Sequence, residues 1–171
     1  MNIFVLHTNP KKAAQYHHDK HVVKMILESA QMLCSVHWVN DSEAPYKLAH
    51  KNHPCSIWAR ECKENYLWLC ELGLELSKEY TYRYGKVHKS QAIIEWCKNN
   101  IPKTLVSKGN ITEFAKAMPD ECKVDDAVES YRKYYRMYKK TWELNDKKTG
   151  EKLIKENVWT NREIPEWLLT D

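Results

Sequence analysis

Glycine and proline are scarce in this 171-residue chain, at four and six residues. An all-β fold needs many tight turns, and the shortage argues against one. No CxxC pair occurs among Cys34, Cys55, Cys62, Cys70, Cys97 and Cys122, which argues against a zinc ribbon. The short apolar run Met1–Leu6 lacks a basic segment before it and a cleavage site after it, so no secretory leader is expected. The thiols are therefore expected to be reduced, in a cytoplasm. No apolar stretch reaches the ~18–20 residues that span a membrane. Repeats and low-complexity tracts are missing too. The excess of positive charge is small, +4 with eight histidines uncounted, and it permits a polyanionic partner without requiring one.

What remains is a chain rich in Leu, Lys, Glu, Trp and Tyr, which favours helices. The expected fold is mostly α, a single compact helical domain over 1–171. Residues 2–7 form a short N-terminal strand or a buried segment. Asn9-Pro10 caps a helical pattern running to about Trp38, with a break near Asp19. Its centre is a helix over 17–36. His53-Pro54 opens a second helix over 54–84, and Gly85 suits its end. A third segment covers 88–99. Residues 100–123 are a long loop, of a length that is often functional. The last helix is placed at 125–144, on the helical spacing of Val128, Tyr131, Tyr135, Tyr138 and Trp142. A charged connection and an aromatic C-terminal stretch follow.

The helix over 17–36 carries the sharpest signal. At ~100° per residue, His21, Lys24, Glu28, Gln31 and Ser35 fall within roughly 40° of His17. Apolar residues fill nearly all the rest of the circumference, as in a buried helix. The polar groups then need partners, and a stripe lining a pocket would supply them. The plainer reading is a thin wet edge with a Lys24–Glu28 pair. Two imidazoles and an ammonium, with Lys20 beside them, suit phosphate. His17 or His21 is placed as general base with its neighbour as acid, Lys24 stabilises developing charge, and Glu28 joins the catalytic set. His17 and His21 have the spacing of helical metal ligands, but no third ligand stands at a telling distance, and no metal or cofactor is expected.

Other candidates are ligand-binding. His50, Lys51 and His53 gather at the start of the second helix, where free N–H groups attract anions. Trp58 suits core or ligand platform, and Arg60 and Asn65 are polar groups in a hydrophobic stretch. Arg83 belongs to one basic aromatic cluster, Tyr131 and Tyr135 to another.

The run Asp19-Lys20-His21-Val22-Val23-Lys24, with Glu28 and Gln31-Met32-Leu33 after it, resembles the first helix of the pyrimidine-dimer DNA glycosylases. Asn52-His53-Pro54, Trp58-Ala59-Arg60, Glu79-Tyr80 and Arg83-Tyr84-Gly85 extend the resemblance over about 10–90. The whole chain is also similar to small proteins of tailed phages, which share the stretch Ala117-Met118-Pro119-Asp120 and the closing Trp159-Thr160-Asn161-Arg162 with Pro165 and Trp167. The resemblance implies a compact helical fold and a basic DNA-binding face. It also implies a terminal α-amine as nucleophile and a glutamate in the first long helix. Asn2 is too large for routine Met removal, so the amine would be that of Met1. By register, His21 stands in the glutamate's place, with Glu28 nearly two turns too far along to substitute for it.

Three functions follow. On this register the first is a phage nucleotide-binding protein in an infected host's cytoplasm. It would capture or cleave a cyclic nucleotide or cyclic ADP-ribose immune signal. The alternatives are a DNA-repair glycosylase–lyase acting on damaged pyrimidines, and a non-catalytic protein-interaction module. The expected partners are a nucleotide ligand, or DNA, and no membrane.

Overall fold

The computed structural model describes residues 1–170, and it is mostly helical. Helix α1 spans Pro10–Tyr16 and α2 spans Asp19–Val39. The Asn9 side chain caps α1 by accepting from the Lys12 N–H at 3.2 Å, and Pro10 supplies the first helical position. His17 and His18 are both extended (ψ 133° and 161°), which separates the two helices. The central helix therefore begins at Asp19 and runs three residues beyond the expected 36. His17 ends α1 and does not lie on α2.

The second long helix is also two. Helix α3 (Pro54–Glu61) and α4 (Lys63–Tyr84) are divided at Cys62, whose backbone is extended at φ −159° and ψ 164°. The Lys63 N–H freed by this break donates to the Val106 carbonyl at 2.8 Å. Gly85, at φ 65°, closes α4 in the left-handed conformation expected of it. Helix α5 spans Gln91–Asn99. Gly73 lets α2, α4 and α5 approach closely: a Cβ there would lie 2.7 Å from Ile94 Cδ1 and 3.4 Å from Ser29 Cβ.

The long loop holds a 3₁₀ turn at Asp120–Cys122 and is tied down along its length. Glu64 accepts from Ser107 and from the N–H groups of Lys108 and Gly109. Asn65 and Thr112 bond each other twice, and Tyr131 donates to the Ala115 carbonyl at 2.6 Å.

Of the two readings of the N-terminus, the structure shows the buried segment: residues 2–6 thread through the core without forming a strand, with Val5 and Leu6 at 0% exposure. One expectation is corrected. The last long helix, α6, is Ala127–Tyr138, not 125–144. Beyond it, β1 (Thr141–Asn145) pairs antiparallel with β2 (Lys152–Glu156), Trp142 opposite Lys155 and Leu144 opposite Leu153. Thr-Trp-Glu-Leu-Asn alternates exposed and half-buried, a period of two. Trp142 fits a helical spacing by coincidence. A short α7, Glu166–Leu169, closes the fold. Its Leu168 joins the same hydrophobic core as Ile3 and Leu33.

Candidate functional site

The N-terminal segment is aimed by its own side chains. Asn2 Oδ1 accepts from the N–H groups of Ile3 (2.7 Å) and Phe4 (3.1 Å), while Asn2 Nδ2 donates to the Ala117 carbonyl at 2.7 Å. Phe4 has φ 38°, a conformation that costs a bulky residue ~1–3 kcal/mol. Burial against the ring of His21, centroids 4.2 Å apart, helps to hold it there. The first two residues are thereby turned onto α2. The Asn2 N–H donates to Glu28 Oε2 at 2.9 Å, and the terminal nitrogen of Met1 lies 3.6 Å from the same oxygen. Lys24 Nζ is 3.6 Å from Oε1. Glu28 is thus a nearly buried carboxylate with an amine on one oxygen and an ammonium on the other.

His53 borders this pair. Its Nδ1 caps α3 by accepting from the Cys55 N–H at 3.1 Å, so its neutral ring carries the proton on Nε2. Burial lowers the His53 pKa first, the charges of the terminal amine and His50 lower it further, and Glu28 opposes them. The Cys55 thiol is pushed up to about 11, chiefly by burial, which keeps it a poor nucleophile. The chemistry assembled here is a primary amine, a carboxylate and an imidazole.

Two turns earlier stands a different cluster. His17 is fully buried, with Nδ1 2.6 Å from the Ala13 carbonyl and Nε2 unpartnered. His21 Nδ1 meets the Tyr135 hydroxyl at 2.7 Å, and the His18 ring lies 4.0 Å from that of His21. Desolvation holds His17 down to about 4 and His18 to about 3, and the His21 pKa is lowered well below the usual range by the same cause. Burial also raises the Tyr135 pKa, so its hydroxyl keeps its proton, and the tautomer of His21 sets which of the two donates.

The remaining sequence-selected residues scatter. Gln31 is half-buried on α2, while Lys20 is exposed at its start. His50 and Lys51 are exposed, and Arg60 donates to the Lys51 carbonyl. Trp58 is core, packed on Trp68 and Phe114. Asn65 is fully buried, and its amide bonds the Trp58 carbonyl and Thr112. Tyr131 pins the loop at Ala115 and Ala117. Arg83 donates to Asp19, Glu79 and the carbonyls of His17 and Gln15. Asp19 also takes Thr160, and Glu79 takes Arg162. That buried network locks the α1–α2 junction to the C-terminal segment. Sequence reasoning missed the roles of Asn2 and Ala117, which bear on the amine's position.

The sequence model for pyrimidine dimer DNA glycosylase matches residues 1–92, more than half of the chain. The chain belongs to that family. No curated protein and no solved structure matches. The matched region contains Met1, Lys24, Glu28 and His53, and it ends before the long loop and the hairpin. Within it Glu28, not His21, lies against the terminal amine, and His21 stands seven residues earlier, ~10 Å along the axis, bonded to Tyr135.

Proposed function

We propose that this chain is a DNA glycosylase acting on damaged pyrimidines, with its terminal amine as nucleophile and Glu28 as the catalytic carboxylate. One observation carries the reading: the terminal nitrogen and the adjoining Asn2 nitrogen both lie against Glu28 Oε2, at 3.6 and 2.9 Å. Were Met1 removed, the amine of Asn2 would fall on the same carboxylate. Family membership supports the substrate class.

In this mechanism the amine, free of its extra proton, attacks C1′ of the damaged nucleotide's sugar. The N-glycosidic bond breaks, its electron pair leaves with the base, and the base takes up a proton. Opening of the sugar ring leaves an imine between the chain and C1′. The Glu28 carboxylate stabilises positive charge at the sugar as the base leaves, then accepts the proton lost by the amine and returns it to the ring oxygen as the sugar opens, while the base takes its proton from water. Loss of a C2′ proton then expels the 3′ phosphate and nicks the strand. Neutral His53, carrying a proton on Nε2, is a second proton carrier beside the pair.

Ultraviolet-irradiated duplex DNA tests this directly. The expected result is a nick at the lesion and, under borohydride, a covalent adduct that maps to the terminal peptide. The adduct's mass also identifies whether Met1 or Asn2 reacted. Failure to nick and failure to trap sink the proposal. Capture of a cyclic nucleotide or cyclic ADP-ribose species would instead give a thermal shift with that ligand, recovered intact. A module that only binds another protein would give neither result.

A further inference from the structure

A cavity of about 330 Å³ opens between α2 and the hairpin, outside the matched region on its hairpin side. His18, Lys20, Lys24, Lys139 and Trp142 are among the residues that line it. Lys20 Nζ sits over the Trp142 ring. Lys155 is opposite Trp142 across the hairpin, close enough that its charge depresses the pKa of Lys20, an effect second to desolvation. Among the described residues, Lys24 has Glu28 as its partner, whereas Lys20, Lys139 and Lys155 have no carboxylate within ion-pairing distance. His18, whose Nε2 is buried without a partner, offers no compensating negative charge. Like charges gathered without counter-ions repel one another, and a polyanion relieves the repulsion. The hairpin supplies part of this surface, Trp142 in the cavity wall and Lys155 opposite it, while Lys139 comes from the end of α6.

Lys24 belongs both to this cavity and to the Glu28 pair. Lys20 and Lys24 precede Glu28 by eight and four residues, ~12 and ~6 Å along the helix axis. At ~3.4 Å of rise per nucleotide, that spans about two to four nucleotides of one strand. We propose that α2 and the hairpin form a phosphate clamp, in which Lys20, with Lys139 and Lys155 beside it, holds the DNA backbone about three to four nucleotides from the sugar presented to the terminal amine. The clamp rests on the glycosylase reading for the identity of its ligand as DNA.

Binding of an undamaged duplex oligonucleotide, measured across a salt series, tests the clamp without any chemistry. Each lost phosphate contact lowers the slope of log K against log[salt] by ~0.9. The triple variant Lys20→Ala, Lys139→Ala, Lys155→Ala is expected to lower it by ~2–3, and to weaken binding more than tenfold at ~0.1 M salt. Lys147→Ala with Lys148→Ala, at the hairpin tip and outside the cavity, should leave the slope near wild type. Circular dichroism confirms that each variant is folded. An unchanged slope in the triple variant overturns the clamp, and so does an equal fall in the tip variant, which would mean a diffuse basic surface. No duplex binding by the wild type overturns it as well. If the triple variant loses a cyclic dinucleotide but keeps duplex DNA, the cavity is a free-nucleotide site and the proposal fails. Lesion cleavage with an unchanged slope would leave the glycosylase reading standing and remove only the clamp. A lowered slope without cleavage would do the reverse.

Discussion

Two polar clusters, one on α2 and one at the junction before it, lie in opposite surroundings. At Glu28 a carboxylate meets an amine and an ammonium, with solvent within reach of Lys24, whose side chain is 64% exposed. At His17, His18 and His21 the imidazoles pack against Phe4 and Tyr135 and are held neutral by desolvation, with His18 and His21 at the wall of the cavity beside the hairpin. On the proposed reading the first cluster exchanges protons with a substrate, and the second fixes the N-terminal segment whose end forms the first. His21 and Glu28 lie two turns apart on α2, and residue type alone does not say which of them serves chemistry and which serves packing.

Substitutions that separate the two clusters should give the largest effects. Glu28→Gln keeps the shape and removes the carboxylate, and a 10²–10⁴-fold loss of lesion cleavage is expected, with little change in Tm. Placing one extra residue before Met1 should act similarly on borohydride trapping. Cleavage near the wild-type level in Glu28→Gln would remove the basis for assigning chemistry to this end of the helix.

Arg83→Ala attacks the scaffold. It removes the guanidinium that pairs with Asp19 and leaves Glu79 with Arg162 alone, and a loss of ~3–5 kcal/mol is expected. At this chain length that lowers Tm by ~10 °C or more, while cleavage per folded molecule stays close to wild type. A large fall in turnover with an unchanged Tm would instead place Arg83 on the substrate.

Acid should unfold the histidine cluster before it affects the carboxylates. The unfolded chain takes up protons below about pH 6.5, whereas native His17 and His18 stay neutral to about 4 and about 3. Stability present above pH 6.5 is therefore lost as the pH falls towards 5, by a few kcal/mol in sum, on the order of 1–2 for each histidine. Urea midpoints at pH 7, 6 and 5 measure this, and a flat profile would mean that the imidazoles are not sealed. The smallest effect belongs to Tyr135→Phe, which leaves His21 Nδ1 without its hydrogen-bond partner for ~1–3 kcal/mol. Its cleavage chemistry should be unaltered. A loss of turnover larger than the loss of stability would join the two clusters into one site.

Much of the fold was legible because its signals are local. Asn9-Pro10, His53-Pro54 and Gly85 mark helix ends through caps and backbone preferences that involve a few neighbouring residues. The breaks at His17–His18 and Cys62 were harder, since the hydrophobic spacing continues across them. The hairpin was misread for a similar reason: Trp142 satisfies a helical period and a strand period alike, and only its pairing with Lys155 separates them. Glu28 stood out as part of a polar stripe, yet its partner could not be named from the stripe.

The sequence by itself determined a mostly helical chain, a buried α2 with few polar groups, and residues 1–92 characteristic of the pyrimidine dimer DNA glycosylases. Tertiary structure decided which polar group meets the amine. That contact joins residues 26 or more apart, and depends on a strained Phe4 and on Asn2 reaching Ala117, 115 residues away. Helical periodicity gives the direction in which a side chain leaves its helix. What waits there is set by packing from distant segments, and here that packing puts a carboxylate beside the terminal amine and buries the histidines against Phe4 and Tyr135.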